Sequence, residues 1–346
     1  MTRRILLITA LLSLIPLLSQ CSETVYEDEI PFSLENVSVK SIGPSHKIDG
    51  IFLGRPNAVE YLSSGKLLIS ESRSAQLLML MDPTTGDVVR FLNNGRGPQE
   101  CQHVSNMAVA GHELYVYSQD RNSIFVYGLQ TDGAPVFDRD IHITQDNFRV
   151  IPAPGKGYLG IPYYEGRFFL YDENGMVTDT LGTFPHLEGD SKAKNNTAAQ
   201  SMIAYSPDGK HFCSSYLSMD CIEIYPSDFS SVKRLLGPEP FSPTVKEVNL
   251  PGGVTYVMTP AKSVYSTIST SNRGFIVGYK GQFDKRGEPP AAIRKLIYFD
   301  WKGNAVAQYD LPEDIVTFDI NWEQGKLYAI TAGLERTLTV ADIDLD

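Results

Sequence analysis

The sequence predicts an all-β fold, a six-bladed β-propeller of four-stranded antiparallel blades, and three observations carry that expectation. A unit built of two polar turns and short β-rich runs recurs six times, the units are some 46 to 65 residues apart, and a strand-like stretch before the first unit supplies what the last one lacks.

Each unit is marked by a turn glycine between its first two runs. These are Gly65, Gly111, Gly157, Gly209, Gly274 and Gly325, separated by 46, 46, 52, 65 and 51 residues. A later turn repeats as Asp82-Pro-Thr-Thr-Gly86, Asp132-Gly133, Asp172-Glu-Asn-Gly175 and Asp300-Trp-Lys-Gly303, joining runs such as 76–81 and 88–91. Aspartate supplies local hydrogen bonds there and glycine the positive φ that tight hairpins need. Runs of this length could also build a sandwich, but six copies of one four-stranded meander fit a ring, which leaves only short, protected edges.

The ring must close. Val37-Ser-Val-Lys-Ser-Ile-Gly43 precedes the first unit, and little chain follows Val340, so residues about 36–43 are expected to complete the sixth blade.

The first residues set the location. Met1-Thr-Arg-Arg4 leads into an uncharged run from Ile5 to Leu18, of about fourteen residues where a bilayer needs roughly 20, so residues 1–20 read as a secretory signal and are excluded from the fold. Leu18-Ser-Gln-Cys21 resembles a bacterial lipobox, which implies that Cys21 is lipidated and becomes the new N-terminus; Gln20 departs from the small residue usual there, and ordinary secretion with cleavage nearby stays open. Residues 21–35, with Glu23, Glu27, Asp28 and Glu29, form an acidic tether similar to the surface-export signal of Bacteroidetes lipoproteins. The expected order is therefore signal 1–20, lipidated tether 21–35 and propeller 36–346. The expected place is the outer membrane or cell surface, or else the periplasm.

Charge and cysteines exclude other classes. Loss of residues 1–20 removes two arginines and no acid, leaving 28 basic against 41 acidic residues and a formal net charge of −13. Nucleic-acid binding, which needs basic patches, is not expected. Only Cys101, Cys213 and Cys221 remain beyond Cys21, so no disulfide framework holds the fold. Cys213 and Cys221 fall on neighbouring strands of one hairpin, where a cross-strand disulfide or two free thiols are both open.

The lipobox, the six units and Gly95-Arg-Gly-Pro-Gln-Glu100 together resemble the TolB-like six-bladed propeller lipoproteins of Bacteroidetes, whose members often carry Gly-x-Gly-Pro-Gly-Glu. Gln99 stands where that family often has glycine. The resemblance implies the fold and an envelope location, and it brings no catalytic residue.

Long segments, 93–105, 183–199, 237–263 and 281–292, fall between units or between the second and third strands of the fifth, which places them on one face. Insertions gathered on one face mark a binding face. Gly95–Glu100 lacks the Gly-Lys-Ser/Thr ending of a phosphate-binding loop and reads as a turn between repeats, with Arg96 either facing a ligand or bonded to loop carbonyls. An acid precedes an arginine in four turns, at Glu71/Arg73, Asp120/Arg121, Glu165/Arg167 and Glu335/Arg336. Four arginines on one face make either inter-blade ion pairs or a cationic collar for an acidic ligand. Among the aromatics, Tyr163, Tyr164 and Phe283 are the candidates for stacking on sugars or grasping a peptide, while Tyr216, Phe241, Tyr256 and Tyr265 suit the core.

No His-x-x-x-His, Cys-x-x-Cys, Gly-x-Ser-x-Gly or Asp-x-Asp-x-Asp-Gly pattern occurs, so neither catalytic residues nor a metal or other cofactor are assigned. The expected function is a binding module for a saccharide, peptide or envelope protein. A calcium-dependent lactonase-like hydrolase or a lyase, with ligands converging on the channel, is the alternative.

Overall fold

The structure is a computed structural model that describes residues 25–26, 29–130, 133–185, 196–239, 241, 243–251, 253–285 and 287–346; the signal segment, Cys21, Asp132 and most of the 183–199 loop lie outside it. Six antiparallel blades form the ring. Blades 1 to 4 are the sheets of Pro56–Asn93, Asn106–His142, Asn147–Leu181 and Ser201–Leu236, each a four-stranded meander in chain order. Blade 5 runs from Lys262 to Asp310, and the long strand Ala305–Asn321 carries on to begin blade 6.

Burial follows position in the blade. Leu67–Glu71 and Gln76–Met81, second and third in blade 1, are almost wholly buried, whereas outermost Val88–Asn93 is half exposed. Middle strands are covered on both faces by the neighbouring blades, so they read as continuous apolar runs and not as alternation. Aromatic contacts seal the seams, as where Phe168 of blade 3 meets Phe212 of blade 4 edge-on at 5.2 Å.

Of the six marker glycines, Gly65, Gly111, Gly209 and Gly325 lie between first and second strands, and Gly157 and Gly274 open the second strand. The later turns are built as expected: Asp172 Oδ1 accepts from the amides of Asn174 and Met176, both at 2.9 Å, and Asp300 repeats the pattern with Lys302 and Asn304. Gly175 adopts φ 79°, and a Cβ there would sit 2.0 Å from the His142 carbonyl oxygen of blade 2. Gly175→Ala is therefore expected to cost about 2–3 kcal/mol in a urea titration, since backbone on both sides must move.

Ring closure needs a correction. Ser38–Lys40 does not complete blade 6; it runs parallel along Ala307–Tyr309 at the outer edge of blade 5. Blade 6 is closed slightly later, by His46–Lys47 antiparallel to Thr339–Val340 with an Ile42–Ile343 bridge. Docking also begins inside the expected tether: Ile30–Pro31 pairs with Leu235–Leu236 of blade 4, and the Phe32 ring meets Phe299 at 5.1 Å. Apolar Phe32 and Leu34 are half-buried against the blade 4–5 core, which explains why this stretch leaves solvent.

The cross-strand disulfide is also overturned. Cys213 faces Ile224 and Cys221 faces Leu236, so the two cysteines are out of register, and both are buried free thiols. Among the described residues no helix is long and apolar enough to cross a membrane.

Candidate functional site

The first strand of every blade lines a central channel of about 1680 Å³. Because each blade is a meander, the two ends of this channel differ. Turns between first and second and between third and fourth strands share one end; the others and all blade-to-blade links share the other, here called the loop face.

At the loop face, Gly95–Glu100 closes on itself. The Glu100 amide donates to the Gly97 carbonyl at 3.3 Å, and Glu100 Oε2 accepts from the Gly97 amide at 2.9 Å. The carboxylate sits where a Cβ on Gly95 or Gly97 would fall, at 2.1 and 2.9 Å. The chain's own anion thus fills the hollow that a phosphate would need. Gln99 has φ 59°, a left-handed conformation that glycine adopts most readily. Arg96 bonds Gln102 through Nε at 3.0 Å, and its carbonyl accepts from Arg121 Nη1 at 3.1 Å.

The four-arginine collar is reduced to three. Arg73 is exposed, while Arg336, half-buried, donates to the Pro56 carbonyl. Arg167 is wholly buried, ion-paired to Glu223 at 3.2 Å and lying over the Phe168 and Tyr216 rings. The cause is register. Glu165 (φ 68°) takes the left-handed turn position held by Arg73 (φ 63°) and Asn122 (φ 47°), so Arg167 falls two residues later, at the start of a buried strand. The acids do not serve the arginines beside them either: Glu71 binds Arg90 and the Gly54 amide, and Asp120 accepts from Gln102 and Ser118.

Of the aromatic candidates, Tyr164 is 62 % and Phe283 51 % exposed at the loop face, while Tyr163 is half-buried against Phe148. Burial pushes the Tyr163 phenol up, against a hydrogen bond with Gln119 and the charge of Arg149. Phe52 in the blade 6–1 link, at 84 %, and fully exposed Leu334 share this face. The 237–263 segment forms a separate hairpin, Thr244–Leu250 with Gly253–Thr259, exposing Leu250, Val254 and Val257; Val245 at its base packs on blade 4.

Three channel residues were not expected from sequence. Arg149 lines the upper channel, and burial lowers its pKa to about 10. Glu60 of blade 1 and Asp319 of blade 6 lie lower down. Burial, and then the charge of Asp319, raises Glu60 to about 8; burial raises Asp319 to about 6. The signal available was an acid flanked by apolar residues, five residues before Gly65 and six before Gly325. Among the described residues no three metal-ligating side chains come together.

Comparison with known proteins agrees with this architecture. Residues 83–323 match the family described as TolB-like 6-blade propeller-like. A Bacteroides fragilis protein described as a "Putative exported protein" is similar in structure at TM-score 0.56 and 12% identity, over 91% of this chain and 99% of that one. A DUF4221 family member from Bacteroides vulgatus is similar at TM-score 0.55 and 8% identity, over 88% and 96%. The Cps50 (Swd1) β-propeller domain of Myceliophteria thermophila is similar at TM-score 0.50 and 12% identity, over 87% and 100%. No curated protein matches the chain.

Proposed function

From the premise that the chain belongs to the TolB-like 6-blade propeller-like family, we propose that it is a lipid-anchored envelope module that binds a partner on its loop face. The observation that carries this reading is the gathering of apolar tips there: Phe52, Tyr164, Phe283, Leu334 and the hairpin's Leu250 and Val254, from links and turns of separate blades. Apolar tips rimmed by Arg73, Arg96, Arg121 and Arg336 suit an envelope protein or peptide better than a saccharide, which would ask for more paired polar groups. Two similar solved structures from Bacteroides, one described as exported, support the envelope location.

Photo-crosslinkers placed at Tyr164 and Phe283 in cells are expected to trap one partner, and one placed at Met176, on a turn at the opposite end, to trap none. Tyr164→Ala and Arg96→Ala should then weaken capture about tenfold while melting temperature holds. Adducts from Met176 alone would put the site on the wrong face. The anchor is tested separately: Cys21→Ser should move the protein from the membrane to the soluble fraction and abolish lipid labelling. Equal membrane fractionation would reject the anchor.

A further inference from the structure

Below the loop face the channel wall carries ionisable groups that the fold leaves without a countercharge. Arg149 lies over the Phe148 ring at 5.1 Å and donates from Nη1 to the Ser105 carbonyl at 3.3 Å; its buried Nε has no hydrogen-bond partner. No described carboxylate forms an ion pair with it. Further down, Glu60 Oε1 accepts from the Val109 amide at 3.2 Å. Asp319 accepts from the Tyr61 amide at 2.7 Å and the Ser269 hydroxyl at 2.6 Å. Glu60 feels Asp319 and the Val109 amide, and Asp319 feels that hydroxyl and the amides of Tyr61 and Ile320; no lysine or arginine acts on either acid. Tyr61 in turn feels Glu323, another acid.

The two ionisable stations are separated along the axis. Arg149 reaches blade 2 at Ser105 and Glu60 reaches it at Val109, four residues on, which is about 13 Å at ~3.3 Å per strand residue. Half-buried ionisable groups with no countercharge are costly to keep, which makes them candidates for a site where a ligand supplies the missing partner. Between the stations the lining includes Met107, Met202, Thr267 and Thr317, a mixed wall that makes little demand on side-chain identity.

We propose that the channel is a second binding site, for a short peptide held lengthwise with its terminal carboxylate on Arg149 and its free α-ammonium between Glu60 and Asp319. An extended tetrapeptide spans about 13 Å at ~3.3 Å per residue, and 1680 Å³ accommodates it. This site does not depend on the loop-face reading. Glu60 holds a proton at neutral pH, and a cation beside it favours the ionised form, so binding at pH 7 releases protons.

The probe is an equimolar tetrapeptide library with free termini, presented to the full-length protein in detergent, with retained peptides read by mass spectrometry. Wild-type protein is expected to retain peptides. N-acetylation or C-amidation of the library should each cut retention tenfold or more, as should Arg149→Gln and Asp319→Asn, neither of which should lower the melting temperature. Calorimetry of one retained peptide in two buffers of different ionisation enthalpy should show release of up to about one proton at pH 7. No retention, or retention indifferent to blocked termini, overturns the proposal. Should a variant fail to fold, the blocked libraries on wild-type protein decide alone.

Discussion

Glu223→Gln is expected to destabilise the fold by roughly 3–5 kcal/mol, the penalty of leaving a buried charge uncompensated. Glu223 is fully buried in blade 4 and takes hydrogen bonds from Arg167 of blade 3 (Nε and Nη2 to Oε2, both 3.2 Å) and from Arg234 (Nε to Oε1, 3.0 Å). Arg167 also donates to the Ala199 carbonyl and to the hydroxyls of Ser201 and Ser214. Glutamine keeps the size and one acceptor but removes the charge shared by two guanidiniums in a buried seam. Urea titration against wild type measures this. Arg139→Ala, which breaks exposed ion pairs to Glu113 and Asp138, should cost under about 1 kcal/mol and serves as the contrast. A Glu223→Gln loss below that same figure would mean that the two arginines find other partners.

Arg167 also shows where sequence reading stops. Repeat number, strand order and turn chemistry were legible because each is written locally: an aspartate or glycine at a turn, a run of four to six apolar residues at a blade's middle strand. Closure by an N-terminal strand was legible from the missing fourth strand of the last unit. Which N-terminal residues close the ring was not, because Val37–Gly43 and Ser45–Ile48 are both short polar-apolar stretches, and only three-dimensional length decides that blade 5 takes the first. Likewise Glu165-Gly166-Arg167 looks like Glu71-Ser72-Arg73, yet a two-residue shift of the left-handed turn position turns a rim cation into a buried one.

The loop face was legible for a related reason. Insertion length is a one-dimensional quantity, and the alternation of ends in a meander converts it into a face, so the sequence alone groups 93–105, 237–263 and 281–292. The exposed tips on this face, Phe283 in the last of these segments and Tyr164, Phe52 and Leu334 on shorter turns and links, give it its apolar character. The channel was not legible. Glu60 and Asp319 are 259 residues apart in sequence and meet only because blades 1 and 6 are neighbours across the closing seam.

That seam should give the fold an unusual pH response. In the unfolded chain Glu60 and Asp319 titrate near 4.5 and 3.8; in the fold they rise to about 8 and about 6. Between those limits the folded state holds more protons than the unfolded one, so their contribution to stability falls as pH rises, from about 4 to about 6 for Asp319 and on to about 8 for Glu60. This is opposite in sign to a salt-bridged carboxylate. Each tenfold change in proton affinity corresponds to about 1.4 kcal/mol, and channel water reaching the half-buried pair moderates the sum, so the Glu60 share should be about 2–4 kcal/mol. Glu60→Gln stays neutral at every pH and keeps an acceptor for the Val109 amide. It should therefore match wild type near pH 4.5 and exceed it by that amount at pH 8.5, measured as urea midpoints at pH 4.5, 6.5 and 8.5. Parallel curves for the two proteins would show that Glu60 ionises without penalty, through hydration or a cation in the channel. A fold that keeps so costly a carboxylate facing an open channel gains if something positively charged binds there, and a bound α-ammonium should narrow the gap between wild type and Glu60→Gln at pH 8.5.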